Sequence, residues 1–397
     1  MHRNIGHSVR KLTSRGTLKC HNSSYHNTSG LEFVKHKELL PNAGFINGNF
    51  TVGKGNPSDK FDVVNPANGK VVAQLPRMGE TETQDAIAAA KTAFHSWKET
   101  TAHERSKLLE RMSQLMNKHK DDLATIMTSE AGKPTAEAKG EINYAISFLD
   151  YYAEEAKRVK GDVLASPVKN RRLLTIKQPV GVAGLITPWN FPSAMITRKL
   201  APALAAGCTA VIKPSEETPL SALAICAIAQ EAGIPPGVVN CVTVDRYQVE
   251  EVGRALCHSS DVRKISFTGS TPVGKWLMRE SASNVKKVSL ELGGNAPFIV
   301  FDDCDVDVAV QALMFAKFRN AGQVCIASNR ILVQEGVYEK FATKLTEAVS
   351  RLQVGNGFDP SNTVGPLINQ KGLAKVSSSL THLTVLFLSE SLGEQPC

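Results

Sequence analysis

The chain has eight cysteines but no Cys-x-x-Cys pair and no His-rich run with metal-ligand spacing. That excludes a zinc-ribbon reading and predicts no metal site. Cys208, Cys226 and Cys241 stand in apolar stretches, where a thiol behaves as a small hydrophobe, and a reducing compartment suits the set. No apolar run approaches the roughly 18 residues that a bilayer span needs. Acidic residues are missing from the first 30 positions, which hold Arg3, Arg10, Lys11, Arg15 and Lys19. Most of the net charge of +8 therefore belongs to this segment. The remainder is too small for a nucleic-acid footprint. An acid-free stretch rich in Arg, Ser and Thr, without an apolar core, reads as a mitochondrial transit peptide over residues 1–30.

What is present is a globular composition, 42% apolar and 21% charged over 397 residues, long enough for two or more domains. Turn signals at Asn47-Gly48, Asn56-Pro57 and Asn68-Gly69 punctuate residues 31–80. Apolar periodicity then predicts helices over 82–98, 103–128 and 134–158. From residue 180, strands (180–186, 208–213, 238–243, 264–267, 285–292) alternate with helices (218–232, 247–257, 271–283). This alternation predicts a doubly wound parallel α/β sheet, with ligands gathering at the carboxyl ends of its strands. After Pro297 a second unit follows: strand 298–301, helix 305–318, a loop holding Cys325, strand 330–334 and helix 337–352. Residues 377–397 continue no earlier pattern.

Cys325, in Phe-Arg-Asn-Ala-Gly-Gln-Val-Cys, lies 34 residues beyond Glu291 in Glu-Leu-Gly-Gly-Asn. A thiol in polar, glycine-containing backbone with a carboxylate elsewhere suggests a nucleophile and a general base for carbonyl chemistry. An exposed strand residue is the plain alternative for Glu291. Asn190, in Trp189-Asn-Phe-Pro192, offers an amide donor of the kind an oxyanion requires, although Asn before Phe-Pro is often only a turn. Gly269-Ser-Thr-Pro-Val-Gly274 links a strand to a helix, as a phosphate cradle does and as any tight turn does. Lys213 and Glu216, with Ser215 between them, end a strand where they would reach ribose hydroxyls. Glu216 would repel a 2′-phosphate and so favour NAD. The alternative is a solvated turn capping the next helix.

Taken together, Pro188-Trp-Asn-Phe-Pro192, Lys213-Pro-Ser-Glu216, Phe267-Thr-Gly-Ser-Thr271, Leu290-Glu-Leu-Gly-Gly294 and Gly322-Gln-Val-Cys325 resemble the aldehyde dehydrogenase superfamily across about residues 45–376. The resemblance implies an α/β fold with a doubly wound cofactor domain over 31–292, including a strand arm near 163–180, and an incomplete α/β catalytic domain over 293–376. It implies Cys325 as nucleophile, Glu291 as base and Asn190 as oxyanion donor. Trp189, Lys213, Ser215, Glu216, Gly269, Ser270 and Gly274 would hold NAD. Met195-Ile-Thr-Arg-Lys199 and Phe318-Arg-Asn-Ala-Gly322 resemble the branch that oxidises succinic semialdehyde in 4-aminobutyrate degradation. There Arg198 and Arg319 would clamp the far carboxylate. Glutarate semialdehyde is the alternative substrate, and a homo-oligomer in the mitochondrial matrix is implied.

Two departures accompany the resemblance. Ala327 stands where some members have a second cysteine two residues after the nucleophile, so no local disulfide switch is expected. The family pattern also continues about a hundred residues beyond Val364-Gly-Pro-Leu-Ile368, with a second ribose-binding Glu. The tail over 377–397 is thus expected to lie outside the family, and an inactive, nucleotide-binding product is a further alternative.

Overall fold

The computed structural model describes residues 29–54 and 58–392. All but the last two residues of the transit-peptide reading over 1–30, and the Asn56-Pro57 turn, fall outside them.

The central sheet has seven strands. In chain order these are β1 (Gly44–Ile46) and β2 (Asn49–Thr51), then β7 (Val182–Ile186), β8 (Thr209–Lys213), β9 (Val239–Cys241), β10 (Val262–Gly269) and β11 (Lys287–Leu292). Between the two groups lie the ribbons β3 (Lys60–Val64) with β4 (Val71–Pro76) and β5 (Asp162–Leu164) with β6 (Leu173–Thr175). The sheet order is β11-β10-β7-β8-β9-β1-β2. From β11 to β9 the pairing is parallel. Both faces of β7 and β8 are covered, which is why these strands are near-continuous apolar runs rather than alternating ones.

The antiparallel edge was not foreseen. The β1–β2 hairpin turns on Asn47 (φ 51°) and Gly48 (φ 76°), the left-handed pair a two-residue turn requires. Asn47 N–H donates to Asn240 Oδ1 (2.9 Å), which anchors the hairpin beside β9.

Helices α1 (Glu80–Trp97), α2 (Ala102–Lys118), α3 (Lys120–Ala131) and α4 (Thr135–Ala156) precede the sheet's core strands. A capping box starts α2: Glu104 N–H reaches Thr101 Oγ1 (3.2 Å) and Thr101 N–H reaches Glu104 (2.7 Å). One helix over 103–128 was expected, but the chain breaks at His119 (φ −98°, ψ 15°), whose buried ring packs against His36. Periodicity missed the break because both halves bury faces in one core.

Within the sheet, α5 (Ala194–Ala205), α6 (Pro219–Ala232), α7 (Val249–His258) and α8 (Thr271–Ser281) alternate with the strands. Register aligns Ile186 with both Lys213 and Phe267, and Thr268 with Glu291. The loops after β7, β8 and β10 therefore open at one end of the sheet, the ligand end in this architecture.

The second unit pairs β12 (Ala296–Val300) in parallel with β13 (Ser328–Val333). Helices α9 (Val306–Phe318) and α10 (Glu335–Ser350) pack on it around Val300, Val306, Val310, Leu313 and Phe341. Asp305 caps α9 by accepting from Asp307 N–H (2.9 Å) and Val308 N–H (3.2 Å). Helix α11 (Gln370–Leu392) runs through position 377 without a break.

Candidate active site

Two buried carboxylates set the loops at the ligand end. Glu141, on α4, accepts from Ser193 N–H (3.0 Å) and Ala194 N–H (3.2 Å), so it holds the start of α5 and the Trp189-Asn-Phe-Pro loop before it. Glu130, on α3, accepts from Leu220 N–H (2.7 Å), Ser221 N–H (2.9 Å) and Ser221 Oγ (2.5 Å), fixing the start of α6 and the Lys213-Pro-Ser-Glu loop. Burial pushes the Glu130 carboxyl up to about 8 against these three donors. A carboxylate at a helix N-terminus meets both unsatisfied N–H groups and the favourable end of the helix dipole.

Lys133 joins this frame. Its ammonium pairs with Glu141, donates to the Asn190 carbonyl (3.0 Å) and lies 4.5 Å from the centre of the Phe191 ring. It follows Gly132, which ends α3 at φ 72°. A side chain at 132 would strike the Pro366 ring at 2.6 Å and the Pro66 ring at 2.8 Å, so glycine suits the position on space as well as on φ. Neither Lys133 nor Glu141 was among the expected site residues. The signal available was an unexplained Gly-Lys-Pro punctuating two helices.

The Asn190 carbonyl also accepts from Asn320 Nδ2 (2.9 Å), and the Asn190 amide donates to the Gln323 carbonyl (3.0 Å). The structure thus brings Asn190 onto the loop that leads to Cys325. That loop is strained: Asn320 (φ 53°) and Ala321 (φ 54°) both occupy left-handed conformations. Asn320 N–H is held by the Glu137 carboxylate at 3.2 Å. Burial raises the Glu137 carboxyl, opposed by that N–H and by Lys133 and Arg319. Cys325 is half-buried, between Val324, which packs on the main core, and Ile326, which lines a cavity.

That cavity, about 750 Å³, is walled by Tyr144, Phe191, Phe315, Phe318, Arg319 and Ile326 among others. The Arg319 guanidinium sits 5.2 Å from the Phe191 ring centre and 5.0 Å from that of Phe315. A second cavity of about 490 Å³ holds Arg198, Lys199, Ser266 and Glu291. Arg198 lies over Phe148 at 5.4 Å. The two arginines therefore line different cavities, and Glu291 shares its cavity with Arg198 rather than with Cys325. Neither guanidinium has an ion-pair partner among the described residues. Lys199 donates to Ser266 Oγ (3.1 Å), and burial pushes its ammonium down to about 8, with Glu291 opposing.

At the sheet's ligand end, Lys213 stands 3.8 Å from Glu216 and has no hydrogen bond from its ammonium among the described residues. Burial lowers its pKa, with Glu216 opposing. Ser215 Oγ accepts from Glu217 N–H (3.3 Å), and Trp189 packs half-buried on the core. Ser270 is the N-cap of α8 but makes no side-chain cap, which leaves the helix start open to an anion. Gly274 lets α8 lie on β11, since a Cβ there would meet Leu292 Cδ2 at 2.6 Å. A Cβ at Gly269 would meet the Phe267 ring at 2.4 Å. A buried ammonium without a hydrogen bond and an open helix start fit a dinucleotide.

The sequence profile of the aldehyde dehydrogenase family matches residues 53–384, so the chain belongs to that family. It is 51% identical over 372 residues to the rice mitochondrial succinate-semialdehyde dehydrogenase, spanning 94% of this chain and 70% of the relative. It is 52% identical over 347 residues to glutarate-semialdehyde dehydrogenase of Pseudomonas putida, spanning 87% of this chain and 71% of that one. A crystal structure of an NADP-dependent enzyme from E. coli superposes with a TM-score of 0.84 at 52% identity, covering 87% of this chain and 71% of its own. The chain is an α/β enzyme of the aldehyde dehydrogenase class. No described helix is long and apolar enough to cross a membrane.

Proposed function

We propose that the chain oxidises succinic semialdehyde to succinate with NAD, in 4-aminobutyrate degradation in the mitochondrial matrix. The observation that carries this reading is the Arg319 guanidinium, which sits between the Phe191 and Phe315 rings in the cavity beside the Cys325 loop and has no ion-pair partner among the described residues. A planar fork on an apolar wall suits a substrate carboxylate.

In this reading the ionised Cys325 sulfur adds to the aldehyde carbon, and the Asn190 amide donates to the resulting oxyanion. Loss of hydride would convert the thiohemiacetal to a thioester, hydride acceptance being the chemistry that a nicotinamide dinucleotide would supply when bound. Trp189, Lys213, Ser215 and Glu216 would hold its adenosine half, and Gly269, Ser270 and Gly274 its phosphates. Glu291 then takes a proton from the water that cleaves the thioester, releasing the acid and restoring the ionised Cys325 sulfur. Residues 31–292 form the cofactor domain and residues 293–376 the catalytic one, and the working enzyme is a homo-oligomer.

Glutarate semialdehyde is the second reading, favoured by the 52% identity to a relative named for that substrate. Comparing kcat/KM for the two acid semialdehydes and for butanal separates the readings. Succinic semialdehyde is expected to lead, and Arg319→Gln is expected to raise its KM while leaving butanal unchanged. Equal losses on both substrates would remove the clamp.

A further inference from the structure

Far from the cavities, three side chains converge where the segment before β1 crosses the junction of α2 and α3. His36 Nδ1 lies 2.6 Å from Asp122 Oδ2, and the His36 and His119 rings meet edge to face with centres 4.3 Å apart. One ligand atom from each of His36, His119 and Asp122 lies within 4.8 Å of the others. His119 is only 2% exposed, yet neither of its ring nitrogens has a hydrogen bond. A carboxylate oxygen of Glu231 stands 3.6 Å from its Nε2. A buried polar group left without a partner carries a desolvation cost that natural folds rarely leave unmet.

We propose that His36, His119 and Asp122 bind a divalent first-row transition ion, zinc by its ligand chemistry, which pins the segment before β1 to the α2–α3 junction. Two imidazoles and a carboxylate form a borderline donor set with a fourth position left for water or Glu231. Zinc bonds of about 2.0–2.1 Å hold tetrahedral ligands roughly 3.3 Å apart. The site therefore closes through rotation of His36, whose side chain is 43% exposed and gives the ion its entry path. The ion takes the place of the proton shared by His36 and Asp122, and that proton leaves to solvent. Asp122 Oδ1 keeps its bond from Lys35 N–H (2.9 Å), which orients the carboxylate for the ion.

The test uses the untagged full chain carrying Cys304→Ala and Cys325→Ala, so that the two half-buried thiols among the described residues do not compete for zinc. Zinc sulfate alone is titrated by equilibrium dialysis, and thermal unfolding is followed with and without the ion. One equivalent is expected to bind, and a hundredfold excess over the dissociation constant should raise the midpoint by about 3 °C. His36→Gln should abolish both effects while keeping the metal-free circular dichroism spectrum. A cobalt titration of the same chain, without further substitution, should give visible bands of a tetrahedral nitrogen and oxygen site. Absence of saturable zinc binding, or binding and stabilisation unchanged in His36→Gln, would overturn the site.

Discussion

Lys133 donates its ammonium to the main-chain carbonyl of Asn190 at 3.0 Å, across 57 positions of sequence. The same ammonium neutralises Glu141, which holds the start of α5. Lys133→Met would leave a buried carboxylate unpaired, a change that costs about 3–5 kcal/mol when one member of a buried pair is removed. Adding Glu141→Gln should recover part of that loss, because the amide oxygen still accepts from Ser193 and Ala194. Urea unfolding midpoints of the two variants and the parent measure this. Equal stability of the single and double variants would show that the charge pairing is not what matters.

The left-handed pair before the thiol stores strain that a second substitution can release. Ala321 at φ 54° carries a Cβ where glycine would be unstrained. Ala321→Gly is expected to stabilise the folded state by about 1 kcal/mol. It should also lower kcat, because the freed loop no longer holds Asn320 and Gln323 on Asn190 ahead of Cys325. Stability and turnover moving in the same direction would contradict this account.

Glu216 stands 3.8 Å from Lys213 at the end of β8. If it repels a 2′-phosphate, Glu216→Ala should lower the preference for NAD over NADP by roughly tenfold, about 1.4 kcal/mol. Initial rates with each cofactor at fixed aldehyde give the ratio. An unchanged ratio would assign cofactor choice elsewhere.

Lys199 carries a proton below about pH 8 in the folded chain, against 10.5 when unfolded. Between these values the unfolded state holds the extra proton, so this residue's contribution makes stability rise with pH. Lys199→Met removes that rise. The variant's stability relative to the parent should therefore fall from pH 7 to pH 10, by at most about 3 kcal/mol. Urea titrations at the two pH values check the sign.

The sheet was legible because buried parallel strands write themselves as short apolar runs between helices, as Val182–Ile186 and Thr209–Lys213 do. Cys325, Asn190, Lys213 and Glu216 stood out because glycine and proline frame them. Glu130 and Glu141 did not, since their roles lie in contacts to Leu220, Ser221 and Ser193, and nothing local marks a buried cap; Lys133 had only its Gly-Lys-Pro frame, which does not tell of its contact to Asn190. The His36, His119 and Asp122 cluster was invisible for the same reason: the two histidines stand 83 positions apart, and ligand spacing in sequence detects only local sites. The expected pairing of Arg198 with Arg319 rested on motif position, and the fold sets them in separate cavities.

The most direct test follows NADH formation by the purified full chain with succinic semialdehyde and NAD, beside the Cys325→Ala variant. The account predicts steady NADH production by the parent and none above the uncatalysed rate by the variant, with both retaining the same circular dichroism spectrum. Equal NADH production by the two proteins would contradict it.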